Sequence, residues 1–136
     1  MKRPDTPALP RSWHIVWTLA IVGIAVALRI MLAPTTGFMR FHMTDLAGGL
    51  VLPSIGAMFT DPAHPWGRWV RSFKGTIMLT LGGIIGWEIL VPLVSATSTP
   101  DPIDALCYLV GGLVQHIAVI TARRHRDGGG TMAAAT

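Results

Sequence analysis

The sequence has few charged residues. Of its 136 residues, 13% are charged, against about 25% in an average soluble domain. Hydrophobic residues make up 51% of the chain, and the mean hydropathy is +0.51. So little charge excludes the ordinary water-exposed surface of a soluble domain. The composition predicts an integral membrane protein whose first partner is the lipid bilayer.

Cysteine is scarce, and the common catalytic motifs are missing. The single cysteine, Cys107, lies within an apolar run, which excludes an intrachain disulfide and a CxxC metal or redox motif. GxSxG, Walker and HExxH motifs do not occur in the sequence. We therefore predict no metal and no cofactor, and the sequence assigns no catalytic residue. His14 and His116 are expected at the same end of the protein but at different depths, which favours packing over a haem.

Acidic residues are outnumbered, with 7 Asp and Glu against 11 Lys and Arg, so the net charge is +4. A basic chain can bind nucleic acid, but these basic residues stand in small clusters between apolar runs. That spacing is typical of membrane topology. Nucleic acid is therefore not a predicted partner.

Four apolar runs are each long enough to cross a bilayer once as a helix. At about 1.5 Å per residue, some 18 to 21 residues match a hydrocarbon core of about 30 Å. The first run is interpreted as a retained span and not a signal peptide, because a cut after Ala33 would face Pro34. We predict an all-α, four-helix transmembrane bundle with helices near residues 13–33, 43–60, 75–94 and 103–121. Residues 13–121 form a single membrane domain between mobile tails at 1–12 and 122–136.

The basic clusters predict the orientation of this bundle. They precede the first run, separate the second from the third, and follow the fourth: Lys2, Arg3, Arg11; Arg68, Arg71, Lys74; Arg123, Arg124, Arg126. Loops rich in Lys and Arg stay on the cytoplasmic side. Both termini are therefore expected in the cytoplasm, in a multi-pass protein of the cell (plasma or inner) membrane.

In this topology seven ionisable residues gather at the outer face: Arg29, Arg40, His42, Asp45, Glu88, Asp101 and Asp104. Glu88 lies within the third run, and a charge inside a span usually faces the bundle interior, where a partner compensates it. Arg29 is the expected partner, because it has the matching depth in another span. The candidate ligand-binding residues are Arg29, Arg40, His42, Asp45, Glu88, Asp101, Asp104 and Tyr108. The alternative is that Arg29 snorkels, the loop acids are solvated, and Asp104 caps a helix.

Small residues predict where the helices pack. In the last run, Asp104, Tyr108, Gly111 and Gln115 form one polar and small stripe that is expected to face inward. Gly82 and Gly86 have GxxxG spacing, which favours close packing on the face opposite Glu88. The letters GGLV occur at 48–51 and 111–114, which leaves open whether the two hairpins are repeats or the identity is chance.

The order of features in the second half of the chain resembles that of the VanZ-like membrane proteins. This order is a glutamate late in one span, an outer loop, and an aspartate that opens a glycine-containing last span. Here Glu88 and Asp104, followed by Gly111 and Gly112, carry this outline, and Asp45 resembles the acid that opens an earlier helix. Val91 stands where the family often has glutamine. The resemblance implies a bacterial cell-envelope protein of uncertain biochemistry, linked in part of the family to glycopeptide resistance.

Three functional classes are compatible with the sequence. The first is a protein whose outer cluster binds a lipid headgroup or an envelope precursor, with arginines on a phosphate and carboxylates on cations or hydroxyls. The second is a structural or accessory subunit, in a homo-oligomer or a larger membrane complex. The third is a membrane-embedded enzyme that uses Glu88 as a general base beside His42.

Overall fold

The protein is helical throughout the residues that its computed structural model describes, which are 8–32, 37–94 and 101–133. Within these ranges the side chains of 32, 38–41, 92, 94 and 127–133 are not described. A π-helical stretch, here called the π segment, interrupts the third long helix. The elements are α1 (Arg11–Leu32), α2 (Gly37–Met58), α3 (Pro65–Val70), α4 (Phe73–Ile84), the π segment (Ile85–Leu90), α5 (Val91–Val94) and α6 (Pro102–Ala133).

Capping residues set the turn between α2 and α4. The ring of His64 accepts a hydrogen bond from the Trp66 amide, and Pro65 opens α3, where its missing N–H costs nothing. Ser72 caps α4 by accepting from the Gly75 amide at 3.1 Å. The indole rings of Trp66 and Trp69 stack at 4.6 Å between centroids. This basic, aromatic turn has the composition of an interfacial segment.

The helix α2 is the centre of the bundle. It packs against α1, α4 and α6, whereas α1 packs mainly on α2 and leaves most of its surface exposed. Within the described ranges, three helical stretches are long and apolar enough to span a membrane, namely Arg11–Met31, Phe73–Leu90 and Pro102–Arg126. The sequence predicted four such helices. The difference lies in α2, which carries Arg40, His42 and Asp45 and needs less apolar surface because its neighbours cover it.

Glycines bring α2 and α6 together side by side in the same direction. A Cβ atom on Gly49 would overlap the backbone of Tyr108, and one on Gly111 would overlap the backbone around Leu46 and Leu50. Only residues without a side chain permit so close an approach. Gly49 and Gly111 belong to the two GGLV segments, which therefore meet each other at this crossing.

The predicted packing of Gly82 and Gly86 is wrong. A Cβ atom on either residue would meet no atom within 4 Å, whereas Gly83 faces Leu52 and Gly112 faces Thr80. The cause is Glu88, which is buried. Turning this carboxylate into the bundle turns the opposite, GxxxG-bearing face outward.

Element boundaries differ from the sequence prediction at two ends. The helix α2 begins at Gly37, before the predicted residue 43, and ends at Met58. The helix α6 continues past the predicted residue 121 to Ala133. The predicted tail at 1–12 falls largely outside the described residues, as do residues 134–136 and the Pro100 region.

Candidate functional site

Side chains from three parts of the chain meet at the end of the bundle where α2 and α6 begin. We call this group the carboxylate cluster, and it comprises His42, Asp45, Glu88, Asp101 and Asp104. All five were candidates from the sequence. Asp45 and Glu88 are buried, while the other three are partly exposed.

The π segment places Glu88 in this cluster. A π-helical turn contains more residues than an α-helical turn and so redirects the side chains that follow it. The Oε2 atom of Glu88 accepts a hydrogen bond from the Asp101 amide at 2.9 Å. The inward orientation predicted for Glu88 is therefore confirmed. The carboxylate ties the third long helix to the start of the fourth.

Asp101 opens α6 as its capping residue. Its Oδ1 accepts from the Ile103 amide at 2.8 Å, and its carbonyl accepts from the Asp104 and Ala105 amides. The sequence had offered Asp104 for this capping role. Because Asp101 caps the helix instead, the Asp104 carboxylate is available to side chains of α2.

Asp104 pairs with His42. The Nδ1 atom of His42 lies 2.5 Å from Oδ1 of Asp104. This hydrogen bond raises the pKa of His42, and the charges of Asp104, Asp101 and Asp45 add to the effect while partial burial opposes it. His42 precedes the span predicted from the sequence at residues 43–60. The pair therefore has a protonation state that solvent pH controls.

Asp45 is the inner member of the cluster in α2, and Tyr108 of α6 lies next to it. Asp45 is 5% exposed and lies near enough to Asp104 and Glu88 for their charges to act on it. Tyr108 packs its ring against Gly48. The inward stripe predicted for α6 is thus confirmed by the burial of Tyr108, Gly111 and Gln115.

Arg29 and Arg40 do not form the contacts that the sequence predicted for the carboxylate cluster. The Nη1 atom of the exposed Arg29 donates to Oγ1 of Thr44 at 2.8 Å, and no ion pair joins it to Glu88. The predicted pairing by depth is therefore wrong, because the Asp101 amide fills that role for Glu88. Arg40 lies in α2, but its side chain is outside the described part of the chain.

Three members of the cluster present donor atoms that could share a metal ion. His42, Asp101 and Asp104 each offer one atom that could ligate a metal. These three atoms lie within 4.8 Å of one another. A mixed nitrogen and carboxylate set suits several divalent metals. In the structure, hydrogen bonds already occupy these side chains: His42 with Asp104, and Asp101 with the start of α6.

An apolar groove of about 300 Å³ runs between α1 and α2 beside the cluster. Val22, Ala25 and Val26 form one wall and Ala47, Gly48 and Val51 form the other. Arg29, Met43 and Thr44 close the polar end of the groove. One end of the groove is therefore cationic and hydrogen-bonding, and the rest is hydrocarbon.

The sequence missed a second polar group at the opposite end of the bundle. It surrounds a cavity lined by His14, Pro53, Ala57, Val70, Arg71, Thr76, Gln115, His116 and Val119. We call it the arginine pocket. His14 and Gln115 are each 2% exposed. Two features of the sequence pointed to the arginine pocket. Gln115 lies on the predicted inward stripe of α6, and His14 was expected at the same end of the bundle as the basic turn.

Comparison with known proteins yields no relative. No family model matches this chain, and neither a curated protein nor a solved structure matches it.

Proposed function

We propose that this chain is a multi-pass membrane protein that binds an amphiphile at the carboxylate cluster and the groove beside it. In this proposal α2 crosses the membrane with the three apolar spans, so that both termini and the arginine pocket lie on the cytoplasmic side. The distribution of lysine and arginine supports this orientation. Membership in the VanZ-like family, and with it a place in a bacterial cell envelope, is proposed from the sequence resemblance alone.

The observation that carries the proposal is the groove with one polar end. A lipid has the same division, with an apolar chain and a charged headgroup. The groove offers aliphatic side chains along its length and the Arg29 guanidinium at its end. An arginine at this position suits a phosphate, which it binds by charge-assisted hydrogen bonds.

The carboxylate cluster supplies the second part of the recognition. Asp104 and Asp101 are partly exposed, and they lie close to His42. Hydroxyl or ammonium groups on the headgroup are the natural partners of carboxylates. We propose that Arg29 holds the phosphate while Asp101 and Asp104 accept from the remainder of the headgroup.

A structural subunit is the second candidate. The Glu88 contact with the Asp101 amide and the His42 contact with Asp104 each connect two helical elements, as expected of groups that only fix the helices. The third class, an enzyme with Glu88 as base beside His42, is less well supported, because His42 is paired with Asp104 instead.

The test is lipid retention by the purified full chain. The protein is exchanged into detergent with dioleoyl phosphatidylglycerol, and bound lipid is counted by native mass spectrometry. We expect one retained lipid in the parent protein and a roughly tenfold higher lipid dissociation constant in Arg29→Gln, because one charge-assisted hydrogen bond contributes about 1.5 kcal/mol or more.

Matched variants separate the two candidates. Ala47→Phe fills the groove and should also displace the lipid, whereas Arg68→Gln removes an exposed cation from the basic turn and should not. Equal lipid retention by the parent and Arg29→Gln would refute the amphiphile site and leave the structural function.

The topology is tested separately by cysteine labelling after Cys107→Ser. Single cysteines at Ser98 and at the exposed Ala63 are treated with a membrane-impermeant maleimide on intact cells. We expect labelling at 98 and none at 63. The reverse pattern would invert the proposed orientation.

A further inference from the structure

The arginine pocket contains polar atoms that the protein itself does not satisfy. Both ring nitrogens of His14, Oε1 of Gln115 and Nε of Arg71 are buried and have no hydrogen-bond partner among the described residues. All three residues line one cavity of about 20 Å³. Buried polar groups almost always have a partner, so such a concentration indicates a bound species.

The pocket is built and held rigid by the fold. Arg71 donates through Nη1 to Oγ1 of Thr60 and the Gly67 carbonyl, each at 3.0 Å, and through Nη2 to the Ala57 and Thr60 carbonyls. These bonds cap the end of α2 and fix the guanidinium. Gln115 is fixed by a 2.5 Å hydrogen bond to Ser54.

The free valences of the pocket become mainly donors once the Gln115 amide is rotated. A guanidinium Nε carries a hydrogen and cannot accept, and this applies to Arg71 and to Arg123, whose Nε is also buried without a partner. Neutral His14 offers one donor and one acceptor. Rotating the Gln115 amide by 180° lets Ser54 donate to Oε1 and turns the NH₂ group toward the cavity.

The charges around the pocket are mainly positive, with Arg71 and Arg123 near it and Asp61 as the opposing carboxylate. Burial and the neighbouring Arg123 lower the pKa of Arg71, and the charge of Asp61 only partly opposes them. No ion pair connects Arg71 or Arg123 to a carboxylate within the ranges that the structure covers. Arg71 and Arg123 are both partly buried, and a nearby negative charge stabilises partly buried cations.

We propose that the arginine pocket binds a monatomic anion of the size of chloride. A water molecule would satisfy some donors but would leave both positive charges uncompensated. A cavity of about 20 Å³ holds roughly one water-sized particle, which excludes phosphate and lipid headgroups. The anion ties the start of α1 to the end of α2 and the middle of α6. This site is independent of the proposed amphiphile site.

The proposal is tested by the thermal stability of the full chain in detergent. Sodium chloride is titrated against sodium gluconate at constant sodium, so that ionic strength does not change, with sodium sulfate as a larger anion. We expect a saturable rise of the midpoint temperature with chloride, about 4 °C at tenfold excess over the dissociation constant. Gluconate and sulfate should give no saturable rise.

A matched pair of variants places the effect in the pocket. His14→Phe keeps the ring volume and removes the polar atoms, so we expect the chloride concentration at half effect to increase roughly tenfold. His125→Phe changes an exposed histidine of α6 and should leave the titration unchanged. A parent protein equally stable in chloride and gluconate overturns the proposal, as does an unchanged titration in His14→Phe.

Should His14→Phe fail to fold, crystals of the parent protein grown in sodium bromide decide the question. The anomalous signal of bromide is expected beside Arg71 and Gln115. Anomalous maps without a peak in this cavity would overturn the proposal.

Discussion

The two ends of the bundle use polar residues in different ways. At the carboxylate cluster, Glu88 accepts from a backbone amide, Asp101 caps α6, and Asp104 pairs with His42. At the arginine end, four buried side-chain atoms of the pocket residues His14, Arg71 and Gln115 have no partner among the described residues, and no side chain of the carboxylate cluster has such an atom there. The described hydrogen bonds therefore satisfy the carboxylate end, whereas the arginine end retains buried polar atoms without a partner among the described residues.

The difference follows from the kinds of group present. Carboxylates are acceptors, and the start of a helix supplies free amide donors, so the start of α6 can satisfy acids. Guanidinium groups are donors that need carbonyls, and the end of α2 already uses most of Arg71 in this way. The Nε atoms of Arg71 and Arg123 remain unpaired. The two ends of the bundle thus differ in how completely the described residues satisfy their own polar groups.

The largest effect is expected between the two ends, at the crossing that both depend on. In Gly111→Ala the new methyl group overlaps the backbone of α2 at Leu46 and Leu50, which should lower the free energy of unfolding by about 3 kcal/mol. Gly82→Ala, where the methyl group meets no atom within 4 Å, should change it by less than about 0.5 kcal/mol. Reversible unfolding in detergent measures both, and equal effects would mean that α2 and α6 do not cross at these glycines.

A direct contrast of the ends comes from replacing one buried polar residue in each with leucine. Glu88→Leu leaves the Asp101 amide unpaired and should lower the free energy of unfolding by about 2 kcal/mol. Gln115→Leu removes one hydrogen bond to Ser54 but also an atom without a partner, so about 1 kcal/mol is expected. A larger loss for Gln115→Leu would reverse the comparison.

The His42–Asp104 pair predicts a pH dependence that belongs to the carboxylate end. Folding raises the pKa of His42. The His42–Asp104 pair therefore makes its full contribution to the free energy of unfolding at pH values below about 6.5, the pKa of histidine in the unfolded chain. That contribution is lost as the pH rises through the raised, folded value. Unfolding followed from pH 5 to 9 should show this loss in the parent protein and in His125→Asn, but not in His42→Asn. A slope that persists in His42→Asn would assign it to another group.

The smallest effect on stability is expected for Arg29→Gln. Arg29 is exposed, and its one described hydrogen bond, to Thr44, lies at the surface. We expect the free energy of unfolding in lipid-free detergent to change by less than about 0.5 kcal/mol. Together with loss of bound lipid, this result would distinguish a ligand contact from a structural one. A loss comparable to that in Glu88→Leu would make Arg29 part of the framework instead.

Sequence periodicity predicted the faces of the helices better than the partners of individual side chains. The inward stripe of α6 and the burial of Glu88 followed from helical spacing and from the cost of a charge inside a span. The pairing of Arg29 with Glu88 did not follow from matching depth, since a backbone amide was the nearer donor. The arginine pocket was missed because His14, Arg71 and Gln115 come from three distant parts of the chain.

By itself, the sequence determined an all-helical protein with apolar spans, because long apolar runs with little charge leave the backbone no partner but its own carbonyls. It also determined that acids gather where α2 and α6 begin. The tertiary structure decided the rest. It made α2 the central helix, set Gly49 against Gly111, turned the GxxxG face outward, and left the donors of the arginine pocket unpaired. These features depend on which helices touch and at what rotation, and the pattern within a single helix does not specify either.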